Sequence, residues 1–353
     1  MKMSNSSRMK LTFAGGAGTV TGANFLLESD DKKILIDCGL FQGKQFSEDM
    51  NRKPFSYGPS QVDLLVITHA HIDHIGRIPL LVKSGFGGVI YSTPATKELA
   101  EVMLVDSMGV LGKEAKKEGE EPLYEEADVK RAMSLWKTEK YYTHFTPVDG
   151  FEFYFKDAGH ILGSSIVEIK HKGEKIVFTG DLGNSPAPLL RDTDEVADAT
   201  YMVIESVYGD RNHEEREERD KKLQTVIEET IKNKGVLIIP AFSIERTQTL
   251  LYKINNLVED KVIPEVPVFL DSPLAIAVTK IYKDRIKNFN ETIKSEIKKG
   301  DDVFNFPQLK ITKTTEESKG IEYVDSPKII LAGAGMSNGG RIQRHEAKYL
   351  PRP

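Results

Sequence analysis

Apolar and polar positions along this chain switch between two periods. In the first third, short apolar runs alternate with glycine-rich or charged turns. MKLTFAGGAG is followed by NFLLESDDKKILIDCG, where an Asp-Asp-Lys-Lys turn between apolar stretches predicts a hairpin. VDLLVITHA is a continuous apolar run, the pattern of a strand buried on both faces. GGVIYS, FEFYF, SIVEIKHKGEKIVFTGD and TYMVIES predict further strands. Between them, TPATKELAEVMLVDSMGVLG opens on Thr-Pro and carries apolar residues at helical spacing, and EEADVKRAMSLW reads as a second helix. Strands interleaved with helices, with hairpins among them, predict an α/β protein of layered sheets covered by helices.

The texture changes after Glu205. HEEREERDKKLQTVIEETIKNKG predicts a charged, then amphipathic helix ending at Gly235, and GVLIIPAF a buried strand. RTQTLLYKINNLVED predicts a helix, PVFLDSP a strand, and KIILAGAGM a strand with a glycine-rich exit. That alternation implies a second α/β unit with a parallel sheet. No repeat, low-complexity segment or flexible linker separates the two.

The 353 residues fit two domains and hold enough apolar chain, 39% of positions, for a sizeable core. No apolar run approaches the roughly 18 residues of a membrane helix, and the polar start MKMSNSSRMK lacks the apolar stretch of a secretory signal, so a cytoplasmic protein without a membrane partner is expected. The single cysteine, Cys38, excludes a disulfide framework and any zinc site on paired cysteines. A metal here is therefore held by carboxylates and by some of the eight histidines. The net charge of −5 gives no whole-chain electrostatic case for nucleic acid.

The chemistry-bearing string is HAHIDHIGRIP, which places His69, His71, Asp73 and His74 within six residues just past a buried strand. A loop leaving a strand end can turn such closely spaced side chains into one pocket, and neutral imidazoles with carboxylate oxygen suit zinc. His160 in KDAGHILGSS and Asp181 in TGDLGN repeat that placement, each in a glycine-containing loop after a predicted strand. Together the six complete a two-metal site. Asp181 is the natural bridge, since one carboxylate can give an oxygen to each metal.

These residues resemble the metallo-β-lactamase-fold hydrolases, whose second motif is His-x-His-x-Asp-His, and more closely the β-CASP RNA-processing nucleases. The resemblance runs over nearly the whole chain, through ILIDCGLFQG, HAHIDH, GHILGS and GDLGN, and on through IESVYGDRNH, PAFSIERTQTLLY, DSPLA and GAGMSNGGRI. It implies a metallo-β-lactamase αββα sandwich over residues 1–207 and an inserted β-CASP α/β domain over 208–353. It further implies two zinc ions, one on His69, His71 and His160, the other on Asp73 and His74, with Asp181 bridging. Asp73, Asp181 and Glu205 would take part in catalysis. Asp37 would orient a ligand or the motif loop, and a purely loop-supporting role stands beside that one.

The implied activity is zinc-dependent hydrolysis of RNA, single-stranded by expectation, by an endonuclease with possible 5′-to-3′ exonuclease action. Ser337, Asn338 and the amides of Gly339 and Gly340, near a predicted helix start, form a candidate phosphate cradle. Arg246 and Ser272 are further phosphate candidates, against the ordinary readings of a surface arginine and a turn serine. His144, His171, His213 and His345 are set aside: His144 among aromatics that pack on the fold, His171 in a solvated turn, His213 at the head of a charge run, His345 on a helix after GMSNGGRI. Family members continue past this helix for about another hundred residues, a closing segment that carries further histidine motifs and completes the second zinc site. The chain is accordingly expected to be truncated, with that site incomplete. A homodimer is possible. Two other functions compete: a small-molecule hydrolase of the same fold, and a catalytically silent RNA-binding or scaffold subunit. Two bound zinc ions would bring the charge from −5 to −1 and concentrate the attraction where a phosphate sits.

Overall fold

The computed structural model describes residues 9–43, 47–212 and 216–351. His213 lies outside them. The chain forms two compact units, 1–207 and 208–353.

The first unit holds two sheets. One has six strands in sequence order: β1 (Lys10–Gly15), β2 (Asn24–Ser29), β3 (Lys32–Ile36), β4 (Leu64–Val66), β5 (Val89–Ser92) and β6 (Trp136–Thr138). The pairs are antiparallel through β3 and parallel from β3 to β6. The charged turn between β2 and β3 is a two-residue loop, with Asp30 and Asp31 both at positive φ, which matches the twist of a tight hairpin. The second sheet comprises β7 (Phe145–Val148), β8 (Phe151–Asp157), β9 (Ser165–His171), β10 (Glu174–Phe178) and β11 (Tyr201–Val203), in the order β11-β10-β9-β8-β7.

The sheets pack face to face. Leu27, Ile34, Ile36, Leu64 and Val66 of the first meet Phe151, Phe153, Phe155, Val167, Ile169, Ile176 and Phe178 of the second in one buried cluster. The alternation in FEFYF sets this face, since every second residue of β8 points inward. With helices on the six-stranded sheet, this is the layered arrangement that the sequence pattern predicts.

Two boundaries differ from expectation. The helix through EEADVKRAMSLW stops at Ser134, and Trp136 opens β6 against β5, where its indole Nε1 donates to Ser92 Oγ at 2.8 Å. Sheet pairing and a buried partner for the indole outweigh two more residues of helix. The expected solvated turn at His171 is also corrected. His171 ends β9 and is buried; its ring stacks on Phe151 at 3.9 Å, Nδ1 lies 2.7 Å from Gly150 O and Nε2 3.1 Å from Ser29 Oγ. The turn itself is Lys172-Gly173, both at positive φ.

The second unit carries a four-stranded, all-parallel sheet, β12 (Val236–Pro240), β13 (Val268–Asp271), β14 (Leu309–Ile311) and β15 (Lys328–Ala332), in the order β12-β15-β13-β14. Its core joins Phe269, Ile330 and Ala332 to Ile321 and Ile342. Helices 246–259 and 273–284 follow β12 and β13, and helix 342–349 follows β15. Three loops therefore leave the same, C-terminal edge of the sheet, the edge at which parallel α/β sheets place their ligands.

Candidate metal centre

The HAHIDH segment leaves β4 and ends in a single helical turn, Ile72–Ile75. A second loop, Asp37–Leu40, zips onto it through main-chain bonds from Cys38 N to His74 O (2.7 Å) and from Leu40 N to Ile72 O (3.0 Å). Gly39 is required at this contact, because a Cβ there would fall 1.5 Å from Asp73 O. Asp37, at φ 57°, is buried, and its carboxylate accepts from Thr68 N and Thr68 Oγ1 at 2.8 Å and faces His74 Nδ1 at 2.7 Å. It both ties the loop and fixes the His74 ring, leaving Nε2 turned inward.

The loop bearing His160 is held just as tightly. Ser164 Oγ accepts from His160 N at 3.1 Å, and Gly163 O accepts from the Thr93 and Thr96 hydroxyls at the start of helix 94–118. Ser165 N donates to Thr68 O at 2.8 Å, which couples this loop to the histidine-rich one.

Four side chains converge as a result. His69, His71, His160 and Asp181 offer one ligand atom each, all within 4.8 Å of one another. His71 Nδ1 lies 3.1 Å from both His69 Nε2 and His160 Nε2, and Asp181 Oδ2 lies 3.6 Å from each of those Nε2 atoms. One ring nitrogen cannot satisfy two others with a single proton, whereas a cation among them would. Ligands about 2.0–2.1 Å from a tetrahedral ion sit about 3.3 Å apart, so the observed spacings fit one. The other oxygen of Asp181 faces His74 Nε2 at 3.3 Å. That carboxylate thus spans two donor groups.

Electrostatics favour the same occupant. Burial, with the charges of neighbouring histidines, holds His69 well below its ordinary pKa, and burial with the charge of His160 holds His71 at about 3. His160 is lowered too, chiefly by burial. All three are neutral and available as ligands. Burial works against a charge on His74, but the Asp37 charge and the bonds to Asp181 and Asp37 raise it well above its ordinary value. Burial would likewise raise Asp181, yet its bond to His74 and the histidine charges keep it at about 2. The site attracts positive charge at the His74 end.

Asp73 is half-buried and stands outside the tight four; burial raises its pKa against the pull of His74. Glu205, just after β11, is half-exposed and shares with Asp37, His74 and Asp181 a cleft of about 480 Å³. Its carboxylate accepts from Val207 N at 3.0 Å and Leu182 N at 3.4 Å, which fixes it beside the Asp181 loop.

Residues 26–206 match the metallo-beta-lactamase superfamily domain, and residues 247–353 match the Beta-Casp domain. The chain belongs to the metallo-β-lactamase superfamily, in its β-CASP branch. Among its curated β-CASP relatives, ribonuclease TTHA0252 of Thermus thermophilus is 34% identical over 98% of this chain and 77% of its own. Transcription termination factor FttA of Methanosarcina mazei is 32% identical over 98% of this chain and 54% of its own. Cleavage and polyadenylation specificity factor 73 of Drosophila melanogaster is 29% identical over 92% of this chain and 46% of its own. The chain thus spans about half the length of the latter two. A solved structure of a protein of unknown function from Enterococcus faecalis V583 shares the fold, with a TM-score of 0.52 at 12% identity over 94% of this chain and 78% of that one.

In the β-CASP unit, three carbonyls of the glycine-rich loop 333–341 accept the main-chain bonds that shape it. Gly333 O accepts from Ile342 N, Ala334 O from Ser337 N and Gly339 O from Ala334 N. The amides of Asn338, Gly339 and Gly340 donate to no acceptor among the described residues. Gly340, at φ 72°, backs onto Gly333 so closely that a Cβ would lie 2.3 Å from its oxygen. Ser337 and Ser272, read from sequence as phosphate contacts, have engaged hydroxyls: Ser337 Oγ donates to Glu346 at 2.5 Å, and Ser272 Oγ caps helix 273–284 by accepting from Ala275 N. Arg246 is exposed at the first residue of its helix. His345, set aside from sequence, is buried against Asp271 at 2.6 Å, a contact with no short-range sequence signal.

Among the described residues, no helix is long and apolar enough to cross a membrane.

Proposed function

We propose that the protein is a zinc-dependent ribonuclease that hydrolyses single-stranded RNA. The observation that carries this reading is the convergence of three neutral imidazoles on the Asp181 carboxylate, whose second oxygen faces His74. His69, His71, His160 and Asp181 would hold one zinc; Asp73 and His74, with Asp181 shared, would hold a second. Such ions supply Lewis acidity toward phosphoryl oxygens and a nucleophile ionised at neutral pH. Asp37 keeps the His74 ring oriented. Glu205 sits at the cleft wall, where a carboxylate can serve proton movement to the leaving ribose oxygen. In the β-CASP unit, the amides of Asn338, Gly339 and Gly340, which donate to no acceptor among the described residues, and the exposed Arg246 suit RNA phosphates, with Ser272 and Ser337 shaping the loops that carry them. The names of the ribonuclease and cleavage-factor relatives support RNA as the substrate.

The test is cleavage of a 5′-labelled single-stranded RNA with added zinc, beside nitrocefin and a thioester as small-molecule substrates. Expected are RNA fragments with 5′-phosphate ends, abolished by chelator and by Asp181→Ala, and no turnover of the small substrates. Undiminished cleavage by folded D181A would remove the assigned site; turnover of nitrocefin or the thioester alone would assign the small-molecule reaction instead.

A further inference from the structure

The apolar core of the β-CASP unit contains one carboxylate with an unusual set of partners. Asp271 ends β13 and is fully buried. Its Oδ1 accepts from Thr312 Oγ1 at 2.7 Å and Arg341 Nη1 at 2.7 Å; its Oδ2 accepts from Ser318 Oγ at 2.6 Å and faces His345 Nε2 at 2.6 Å. The four donors come from four places: the exit of β14, the helix 315–320, the end of the glycine-rich loop, and the helix 342–349. Arg341 also donates to Thr312 O and Lys313 O at 3.0 Å, and Arg344 donates to Ser318 Oγ at 2.9 Å. Burial alone would keep this carboxyl protonated, but the bonds from His345, Ser318, Thr312 and Arg341 hold it ionised, well below the usual carboxylate range.

A buried ionic cluster of this kind contributes little net stability compared with apolar packing, whereas it does fix geometry. What it fixes here is the C-terminal end of the 333–341 loop, because Arg341 closes that loop and opens the helix bearing His345. Among the described residues, the loop's other bonds to the following helix run from Ile342 N to Gly333 O, from Gln343 Nε2 to Ser337 O and from Ser337 Oγ to Glu346. The amides at 338–340, which donate to no acceptor among the described residues, therefore lie on a loop whose C-terminal end Asp271 holds through Arg341.

We propose that Asp271, acting through Arg341 and His345, is a positioning residue for an RNA-phosphate site on loop 333–341, controlling affinity without touching the nucleic acid. This rests on the reading of the protein as an RNA nuclease.

The test compares Asp271→Asn, His345→Ala and His345→Gln with the wild type. Binding of a fluorescein-labelled single-stranded RNA is measured by anisotropy in chelator, and KM and kcat for its cleavage are measured with zinc. In D271N and H345A, the dissociation constant and KM rise about tenfold while kcat changes less than about twofold, and H345Q, which restores a donor near Nε2, recovers most of the loss. Unchanged affinity and KM in a folded D271N, or a fall in kcat at constant KM, would overturn the proposal. If D271N does not fold, His345→Ala and Ser318→Ala, which each remove a single donor to Asp271, carry the same comparison. A wild type that binds RNA but cleaves none defeats the proposed activity alone, and the binding series still decides the role of Asp271.

Discussion

Asp37 is the residue whose role is clearest from its contacts. Its carboxylate is shared between Thr68 and the His74 ring, and a ligand histidine held from behind by a carboxylate is both oriented and made more basic. Asp37→Asn keeps the shape but loses the charge. Zinc affinity at the His74 end is expected to fall about 10–100-fold with the fold intact, measured by competition with a chromogenic chelator. An unchanged affinity would reduce Asp37 to loop support. His171 poses a separate question, because its buried ring satisfies Ser29 Oγ and Gly150 O at once. His171→Phe keeps the stacking on Phe151 and strands both oxygens, so urea denaturation should show a loss of about 1–3 kcal/mol. No loss would mean that those groups find other partners.

At the scale of elements, the centre is made by loops that leave strand ends and lock onto one another. The main-chain zipper between Asp37–Leu40 and the HAHIDH turn works only because Gly39 has no side chain. Gly39→Ala forces the two loops apart, at a cost of at least about 3 kcal/mol, and lowers zinc uptake together with stability. Denaturation and metal titration of the same sample check this; a stable G39A with full zinc affinity would refute the coupling. The sequence pattern placed β8, β9 and β10 and both sides of the first hairpin: β8 alternates because one face is buried, whereas β9 is a run buried on both faces. It placed the end of helix 126–134 badly, since Trp136 is claimed by a strand partner that is distant in sequence.

For the molecule as a whole, stability should depend on pH through Asp157. This carboxyl is buried at the end of β8, and burial raises it to about 7 against the Gly159 amide and the Arg191 charge. The folded state therefore holds the proton more tightly than the unfolded state. This contribution to stability is fully present below about pH 4, declines as pH rises toward 7, and is gone above it, a span of about 2–4 kcal/mol. Asp157→Asn should match the wild type at low pH and exceed it at pH 8, as read from thermal midpoints in chelator. An unaltered pH slope would assign the dependence elsewhere. Zinc should raise the midpoint of the wild type by binding only the folded state, and should not do so in D181A.

By itself the sequence determined the two-part α/β character and the layered sheets, and it pointed to His69, His71, His160 and Asp181, which the fold brings together. Those follow from local patterns: period-two burial in strands, and chemistry concentrated where apolar runs end. Tertiary structure alone decided that Asp181 faces both histidine groups, that Asp37 holds His74, and that Asp271 gathers Thr312, Ser318, Arg341 and His345. Each of these contacts joins residues from 21 to 112 positions apart by number, for which periodicity carries no signal. It also decided that Ser272 Oγ accepts from Ala275 N as a helix cap and that Ser337 Oγ donates to Glu346.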